Sequence, residues 1–453
     1  MSLPDLIEIV PLKQPVQAEI TVPGSKSITN RALILAALAN GPVTLTGALW
    51  SEDTQVMVEC LHTLGFEVKV EEDPHETCNR TITVQGLGGR IPRAGTAEKP
   101  LELFVGNAGT AARFLSAFVC LGNGVYRLHG IARMHQRPQA ALFKALRELG
   151  YRVDTDGGQD NLPAVIHGVG PRAGSCTVSI EASSQFASAL LLCAKTGGWQ
   201  VKVVGENAEE SPYVAMTKEL IREFPVTEGR FPIEPDASSG SYFWAADWIL
   251  WIWRINREMG RITVVHWPTT RWQIDSDYPK YRNLKLIELN GFLSRKIHLG
   301  DSIMTAIAKA PLNRAPISAQ FDSVAGSSAP PIEFRDLGRL RLQECERVYA
   351  LKNELQKCGA RVDETGDTLR VYSGTTLAGP KEGIETYNDH RMAMCFAILG
   401  LKVPGIKIKN PACVKKTFPN FFQKLAAAPP HGLGATILDA SGRKLSHDEL
   451  FAD

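Results

Sequence analysis

Apolar and polar positions alternate along the chain in a phrase that recurs. A short segment of polar or small residues opens an apolar, helix-like run, which ends in a turn and is followed by a β-branched, alternating strand. Ser25-Lys26-Ser27 opens the first phrase, with Ala32 to Ala39 behind it, the breaker Gly41-Pro42, and Val43 to Leu45 as the strand. Asn107-Ala108-Gly109-Thr110 opens the second, before Val125 to Leu128, and Ser183-Ser184-Gln185 opens the third, before Val201 to Val204. Asp236-Ala237-Ser238-Ser239 precedes Ile262 to Val265, Gly300-Asp301-Ser302 opens a fifth run, and Asn388-Asp389-His390-Arg391 a sixth, before Ile406 to Ile408. Second helices between them end on a glycine that leads into a strand, at Leu64-Gly65, Leu149-Gly150 and Cys358-Gly359, the residue that reaches the left-handed C-cap conformation without steric cost. The implied unit is strand-helix-strand-helix-strand-strand, about 70 residues on ordinary loop lengths. Six such units fit 453 residues.

Polar openers at helix starts bear on chemistry. The first turn of a helix has unpaired N–H groups and the positive end of the dipole, and both favour anions. Composition sharpens the point. Lys plus Arg total 50 against 48 for Asp plus Glu, a net charge of +2, which argues against a polyanion binder that works by bulk electrostatics, and so against nucleic acid. A small-anion pocket built from a few placed cations remains open. The first eight residues lack a signal-peptide pattern, and the longest apolar stretch, Tyr242 to Trp253, is interrupted by Asp247 and too short to span a bilayer. Nine dispersed cysteines without a Cys-x-x-Cys pair read as reduced thiols of a cytoplasmic protein, and no His or carboxylate cluster has metal-ligand spacing.

Several strings are candidates for that pocket. Pro23-Gly24-Ser25-Lys26-Ser27-Ile28-Thr29-Asn30-Arg31 places Lys26 and Arg31 at a helix start, but lacks the nucleotide P-loop spacing. Gly106 to Arg113 is a small-residue helix entry that lets a ligand approach the backbone, or else packs a helix on a sheet. Arg133 and Arg137 lie in a loop where solvent exposure is the ordinary expectation, and Glu344 and Arg347, one turn apart, have the spacing of a surface ion pair. Tyr387-Asn388-Asp389-His390-Arg391 puts an acid, an imidazole and a guanidinium together. Trp244, Trp248 and Trp251 recur at helical spacing, which reads as a bulky packing helix.

Taken together and in this order, Pro-Gly-Ser-Lys-Ser, Gly-Asn-Ala-Gly-Thr-Ala, Ser-Ser-Gln-Phe, Asp-Ala-Ser-Ser-x-Ser-Tyr and Tyr-Asn-Asp-His-Arg-Met-Ala-Met resemble the 5-enolpyruvylshikimate-3-phosphate synthase family across nearly the whole chain. The related UDP-N-acetylglucosamine enolpyruvyl transferases would show Lys-Asn at Lys26-Ser27 and a reactive cysteine near Arg133. The resemblance implies an inside-out α/β fold of two globular domains, residues 1–23 with 238–453 and residues 24–237, each of three βαβαββ units, with the active site in the interdomain cleft. It implies transfer of the enolpyruvyl group of phosphoenolpyruvate to the 5-hydroxyl of shikimate 3-phosphate, with release of phosphate, by addition and elimination. That is a step toward chorismate and the aromatic amino acids. It implies a monomer with no metal and no cofactor.

Carried over by residue, phosphoenolpyruvate contacts fall on Lys26, Gly109, Arg133, Gln185, Arg347, Arg391 and Lys416. Shikimate 3-phosphate contacts fall on Ser27, Arg31, Ser183, Ser184, Gln185, Ser211 and Asp301. Asp301 would be the base at the 5-hydroxyl, Glu344 the proton-transfer group at the methylene carbon with Lys26 assisting, and Asp389 and His390 would orient the arginine loop. The match breaks where the family carries a lysine before its catalytic glutamate, because Gln343 stands here, and a family asparagine is Arg339. Gln343→Lys is then expected to raise activity unless Arg339 or Arg341 already stands in. These departures keep open a paralogue with another cyclic polyol phosphate as acceptor, or a catalytically silent ligand-binding member.

Overall fold

A computed structural model describes residues 3–205, 211–251, 261–282, 291–313, 331–374 and 376–452. The chain divides into two compact units, one formed by Met1–Val22 with Pro235–Asp453 and the other by Pro23–Glu234. Both crossings fall immediately before a proline.

The recurring phrase is a recurring sheet. In the unit Pro23–Glu234, Thr227–Pro232 runs parallel to Asn40–Leu49, which pairs antiparallel with Asn79–Leu87, which pairs antiparallel with Val68–Glu72. Leu101–Phe104, Asn123–His129, Ala164–Val169 and Arg152–Thr155 repeat that order and those directions. In the other unit, so do Phe292–Ser294, Ile332–Arg335, Thr368–Val371 and Val362–Thr365. Parallel neighbours need a crossover of a dozen residues or more, and the helix behind each polar opener supplies it. Gly174–Ser179 and Trp199–Val204 flank Gln185–Gly197 in this way, and a parallel bridge from Ile384 to Ile408 flanks His390–Gly400.

The two remaining parallel pairs are exchanged. Ala18–Ile20 precedes the helix Lys26–Leu38 in sequence but pairs with Ile262–Val264, whereas Thr227–Pro232 precedes the helix Ala237–Trp251 but pairs with Asn40–Leu49. Each unit therefore closes its sheets with a strand brought in at a chain crossing. The second helices stop where the glycines predict, with φ of 92°, 86° and 90° at Gly65, Gly150 and Gly359.

Six opener helices form the cores. Lys26–Leu38, Gly109–Phe118 and Gln185–Gly197 pack on one another in one unit, and Ala237–Trp251, Ile303–Lys309 and His390–Gly400 in the other. Every residue of Gly109–Phe118, and all but Arg391 of His390–Gly400, is buried, which is why these helices are apolar all round rather than on one stripe. Trp244 and Trp248 belong to the second core, Trp244 edge-on to Trp267 with ring centroids 5.6 Å apart. The side chain of Trp251, and Trp253, lie outside the described residues. No described helix is long and apolar enough to cross a membrane.

Candidate active site

In the unit holding the C-terminal half of the chain, the helix starts gather one ion-pair network. Asp389 caps His390–Gly400 by accepting from the Arg391 backbone N–H, and it also takes Arg347 in a forked pair, with Nε 2.6 Å from Oδ2 and Nη2 3.2 Å from Oδ1. Arg347 opens its own helix, Arg347–Lys357, and reaches Glu344 at 2.9 Å and Asp301 at 3.4 Å. Glu344 is shared with Lys416 at 3.2 Å. Asp301, in the turn before Ile303–Lys309, also faces Arg391 at 3.5 Å and Arg295 at 2.6 Å. Arg391 donates to the Ser238 and Tyr242 hydroxyls, and Gln343 accepts from Arg347.

Arg347 is 1% exposed and Asp389 0%, so the Glu344–Arg347 spacing is not a surface pair but part of a buried network. Burial alone would lift the Asp301 carboxyl, but the guanidiniums of Arg295, Arg391 and Arg347 override it and hold the group well below the usual carboxylate range. Burial opposes the charge on Arg347, yet Asp389, Glu344 and Asp301 raise its pKa above the ordinary arginine value.

The sequence reading missed three supports of this network. Asp275 is fully buried and accepts from the backbone N–H of Gly300 at 2.7 Å and of Ser302 at 3.2 Å, and from the Ser302 hydroxyl at 2.5 Å, which fixes the turn that presents Asp301. Burial first, and then the Asp301 charge, push its carboxyl up. Gln273 accepts from the Ala237 N–H and donates to the Pro235 carbonyl, securing the start of the Ala237 helix. Glu354 accepts from the Tyr387 hydroxyl at 2.8 Å and the Glu385 N–H at 3.1 Å. It thereby holds a loop in which Tyr387 and Asn388 both have φ of 54°. Two left-handed non-glycine residues in succession cost about 1–3 kcal/mol each, and they set the entry angle of Asp389. Arg341 does not stand in for the missing lysine. It is committed to Glu346, Glu364 and Asp367 at 2.7, 2.8 and 3.1 Å.

The unit Pro23–Glu234 carries a second set. Lys26, the first residue of its helix, pairs at 2.9 Å with Asp53, which sits in the first turn of Glu52–Thr63 where the dipole favours a carboxylate. Arg31 points inward, donating to the Thr217 hydroxyl at 2.8 Å, the Ser188 hydroxyl at 3.0 Å and the Ser27 carbonyl at 2.8 Å, with its guanidinium over Phe114. Burial, with no carboxylate partner among the described residues, lowers it to about 10. Ser183 Oγ accepts from the Gln185 N–H at the start of Gln185–Gly197, where Ser184 holds the N-cap position, and Ser211 holds that position before Pro212–Glu223.

Gly109 begins its helix between two arginines. A Cβ there would stand 2.5 Å from Arg113 Nη1 and 2.6 Å from Arg137 Nη2. Arg137, expected in solvent, is buried and donates to the Asn107 carbonyl, whereas Arg133 is half-buried and donates to Gln136. Among the described residues no group of His, Cys, Asp and Glu could hold a metal ion, and every cysteine is a free thiol.

Solved structures place this architecture among the enolpyruvyl transferase folds. EPSP synthase of Acinetobacter baumannii superposes with a TM-score of 0.65 at 19% identity, covering 96% of this chain and 100% of that one. The enolpyruvyl transferase NikO of Streptomyces tendae superposes with a TM-score of 0.64 at 14% identity, covering 98% of this chain and 99% of that one. The sequence is more specific. The family model of EPSP synthase (3-phosphoshikimate 1-carboxyvinyltransferase) matches residues 10–227 and 225–425. Proteins named 3-phosphoshikimate 1-carboxyvinyltransferase from Opitutus terrae and Trichormus variabilis are 37% and 36% identical over 94% and 93% of this chain and 98% of their own length. The chain belongs to the EPSP synthase family.

Proposed function

We propose that this member of the family transfers the enolpyruvyl group of phosphoenolpyruvate to the 5-hydroxyl of shikimate 3-phosphate and releases phosphate. The observation that carries the reading is the buried network in which two acids, Asp301 and Glu344, share the cations Arg347, Arg391 and Lys416. Both substrates are polyanions of small size, and transfer needs one group to take a hydroxyl proton and another to give a proton to carbon. The network holds one carboxyl group for each role among the cations that would bind the anions.

In this reading the phosphate and carboxylate of phosphoenolpyruvate draw Arg347, Arg391 and Lys416 onto themselves, with Lys26, Gly109, Arg133 and Gln185 completing the site. Glu344, released from two ion pairs, is then free to hold and give up a proton. Asp301 takes the proton of the 5-hydroxyl as its oxygen bonds to C2, and Glu344 protonates the methylene carbon with Lys26 assisting. In the elimination Glu344 recovers a proton from the new methyl group, the C2–O–phosphate bond breaks, and phosphate leaves. Ser27, Ser183, Ser184, Gln185 and Ser211 take the shikimate 3-phosphate, and Arg31 holds Ser27 in place through its carbonyl. Asp389 orients Arg347 and Arg391, and His390 packs beside it. The reaction needs both sets of residues, and no step calls for a metal or organic cofactor.

The test is phosphate release from purified protein. Release with both substrates together, and none with either alone, is expected. Binding of phosphoenolpyruvate without turnover on shikimate 3-phosphate would instead point to another acceptor or to a silent member. A second expectation concerns Gly109→Ala. The added methyl group displaces Arg113 and Arg137, and loss of one charge-assisted contact is worth roughly tenfold or more. The KM for phosphoenolpyruvate should rise by about that factor, with a smaller change in kcat. An unchanged KM would place that anion elsewhere.

A further inference from the structure

The residue before Glu344 is neutral, yet Asp301 does not lack a near cation. Arg295 Nη2 lies 2.6 Å from Asp301 Oδ1, the shortest of that carboxylate's three arginine contacts, while Gln343 Nε2 approaches the same oxygen only at a long 3.5 Å. Arg295 comes from a different element than residue 343. It follows the strand Phe292–Ser294, and its N–H bonds to the Arg335 carbonyl, so its Cα is tied to the sheet. The turn beyond it is closed tightly. Ser294 Oγ accepts from the N–H groups of Lys296 and Ile297, and the Ser294 carbonyl accepts from those of His298 and Leu299.

The side chain is 7% exposed, and its buried Nε–H has no partner among the described residues. A buried donor left unmatched costs free energy, and a site completed by a ligand oxygen removes that cost.

We propose that Arg295 is a positioning residue of this active site. It aims the Asp301 carboxylate and keeps it charged, supplying from the sheet side the cation that Gln343 does not, with its Nε–H left to meet an oxygen of the acceptor. The inference rests on the reading of Asp301 as the acceptor's base. Among the described residues the other charges facing Asp301 are Arg347 and Arg391 from two helices, with Asp275 behind the turn and Glu344 and Asp389 across Arg347. Removing Arg295 therefore leaves Asp301 paired but with one cation fewer. An opposite charge at this range moves a carboxyl by about 1–3 pH units.

The experiment follows phosphate release across pH for the unmodified protein, Arg295→Met, Gln343→Lys and the double variant. Arg295→Met should lower kcat/KM for shikimate 3-phosphate at neutral pH by about tenfold or more. It should also shift the acidic limb of that profile upward by about one pH unit or more, because the base is lost at higher pH when its charged form is less favoured. Gln343→Lys alone should give no gain, since the cation is already present. In the double variant the lysine should recover most of the loss and return the limb toward its original position. A melting curve for each variant separates these effects from unfolding, and Arg295→Lys should keep the limb in place. Arg295→Met with an unmoved limb, or a double variant no better than the single one, would overturn the proposal. Failure of the unmodified protein to turn over would instead sink the reading on which it stands.

Discussion

Asp301→Asn should lower kcat for phosphate release by about 10²–10⁴-fold, the usual worth of a positioned general base. The amide nearly keeps the shape of the carboxylate, so packing in the turn held by Asp275 is preserved. What is lost is the proposed acceptor of the hydroxyl proton and the charge that neutralises Arg295, Arg347 and Arg391. The KM for phosphoenolpyruvate should move much less, because the cations assigned to that substrate remain. Retention of more than a tenth of kcat would mean that the hydroxyl proton goes to another group. A thermodynamic signature should accompany the kinetic one. Arginines depress the Asp301 carboxyl, so its contribution to stability is complete above the ordinary aspartate value, about 3.9, and is lost as pH falls below that. Asp301→Asn should therefore be less sensitive than the unmodified protein to acid in that lower range.

Arg347→Met should be the most damaging change to the fold of its unit. Removing one member of a buried pair costs about 3–5 kcal/mol, because the partner charges stay behind. Here three partners stay behind: Asp389, Glu344 and Asp301. The midpoint of thermal unfolding should fall on the order of 10 °C. Arg347→Lys restores the charge without the fork that spans both oxygens of Asp389, so it should recover only part of the loss. A loss below about 1 kcal/mol for Arg347→Met would match an exposed pair, and would show that the network relaxes into water.

The helices were readable because their signals are local: a polar opener, an apolar run, a glycine stop. The sheets were readable only as strands. That Ala18–Ile20 pairs with Ile262–Val264 depends on residues some 240 positions apart, which no periodicity reports. The same limit governs the site. Lys26, Asp301, Glu344, Arg347 and Arg391 stand in recognisable strings, but Asp53, Asp275, Arg295, Ser188 and Thr217 do not. Each of those is identified by what it touches, and only folding decides that. Context also reversed the expectation of exposure for Arg137 and for the Glu344–Arg347 pair, since Arg137 reaches inward to the Asn107 carbonyl and Arg347 opens a helix whose start is buried.

The network around Arg347 has a consequence for selectivity by valence. Arg295, Arg347, Arg391 and Lys416 each already hold a carboxylate of the protein. A monoanion such as chloride or acetate can enter only by exchanging one single-charged partner for another, with nothing gained. A ligand bearing a phosphate and a carboxylate on one small frame replaces several internal partners at once and loses translational freedom only once. If the network takes the substrates as proposed, the protein's own acids act as the resident counterions of an ion exchanger, and ordinary salt should compete poorly with chelating, multiply charged ligands.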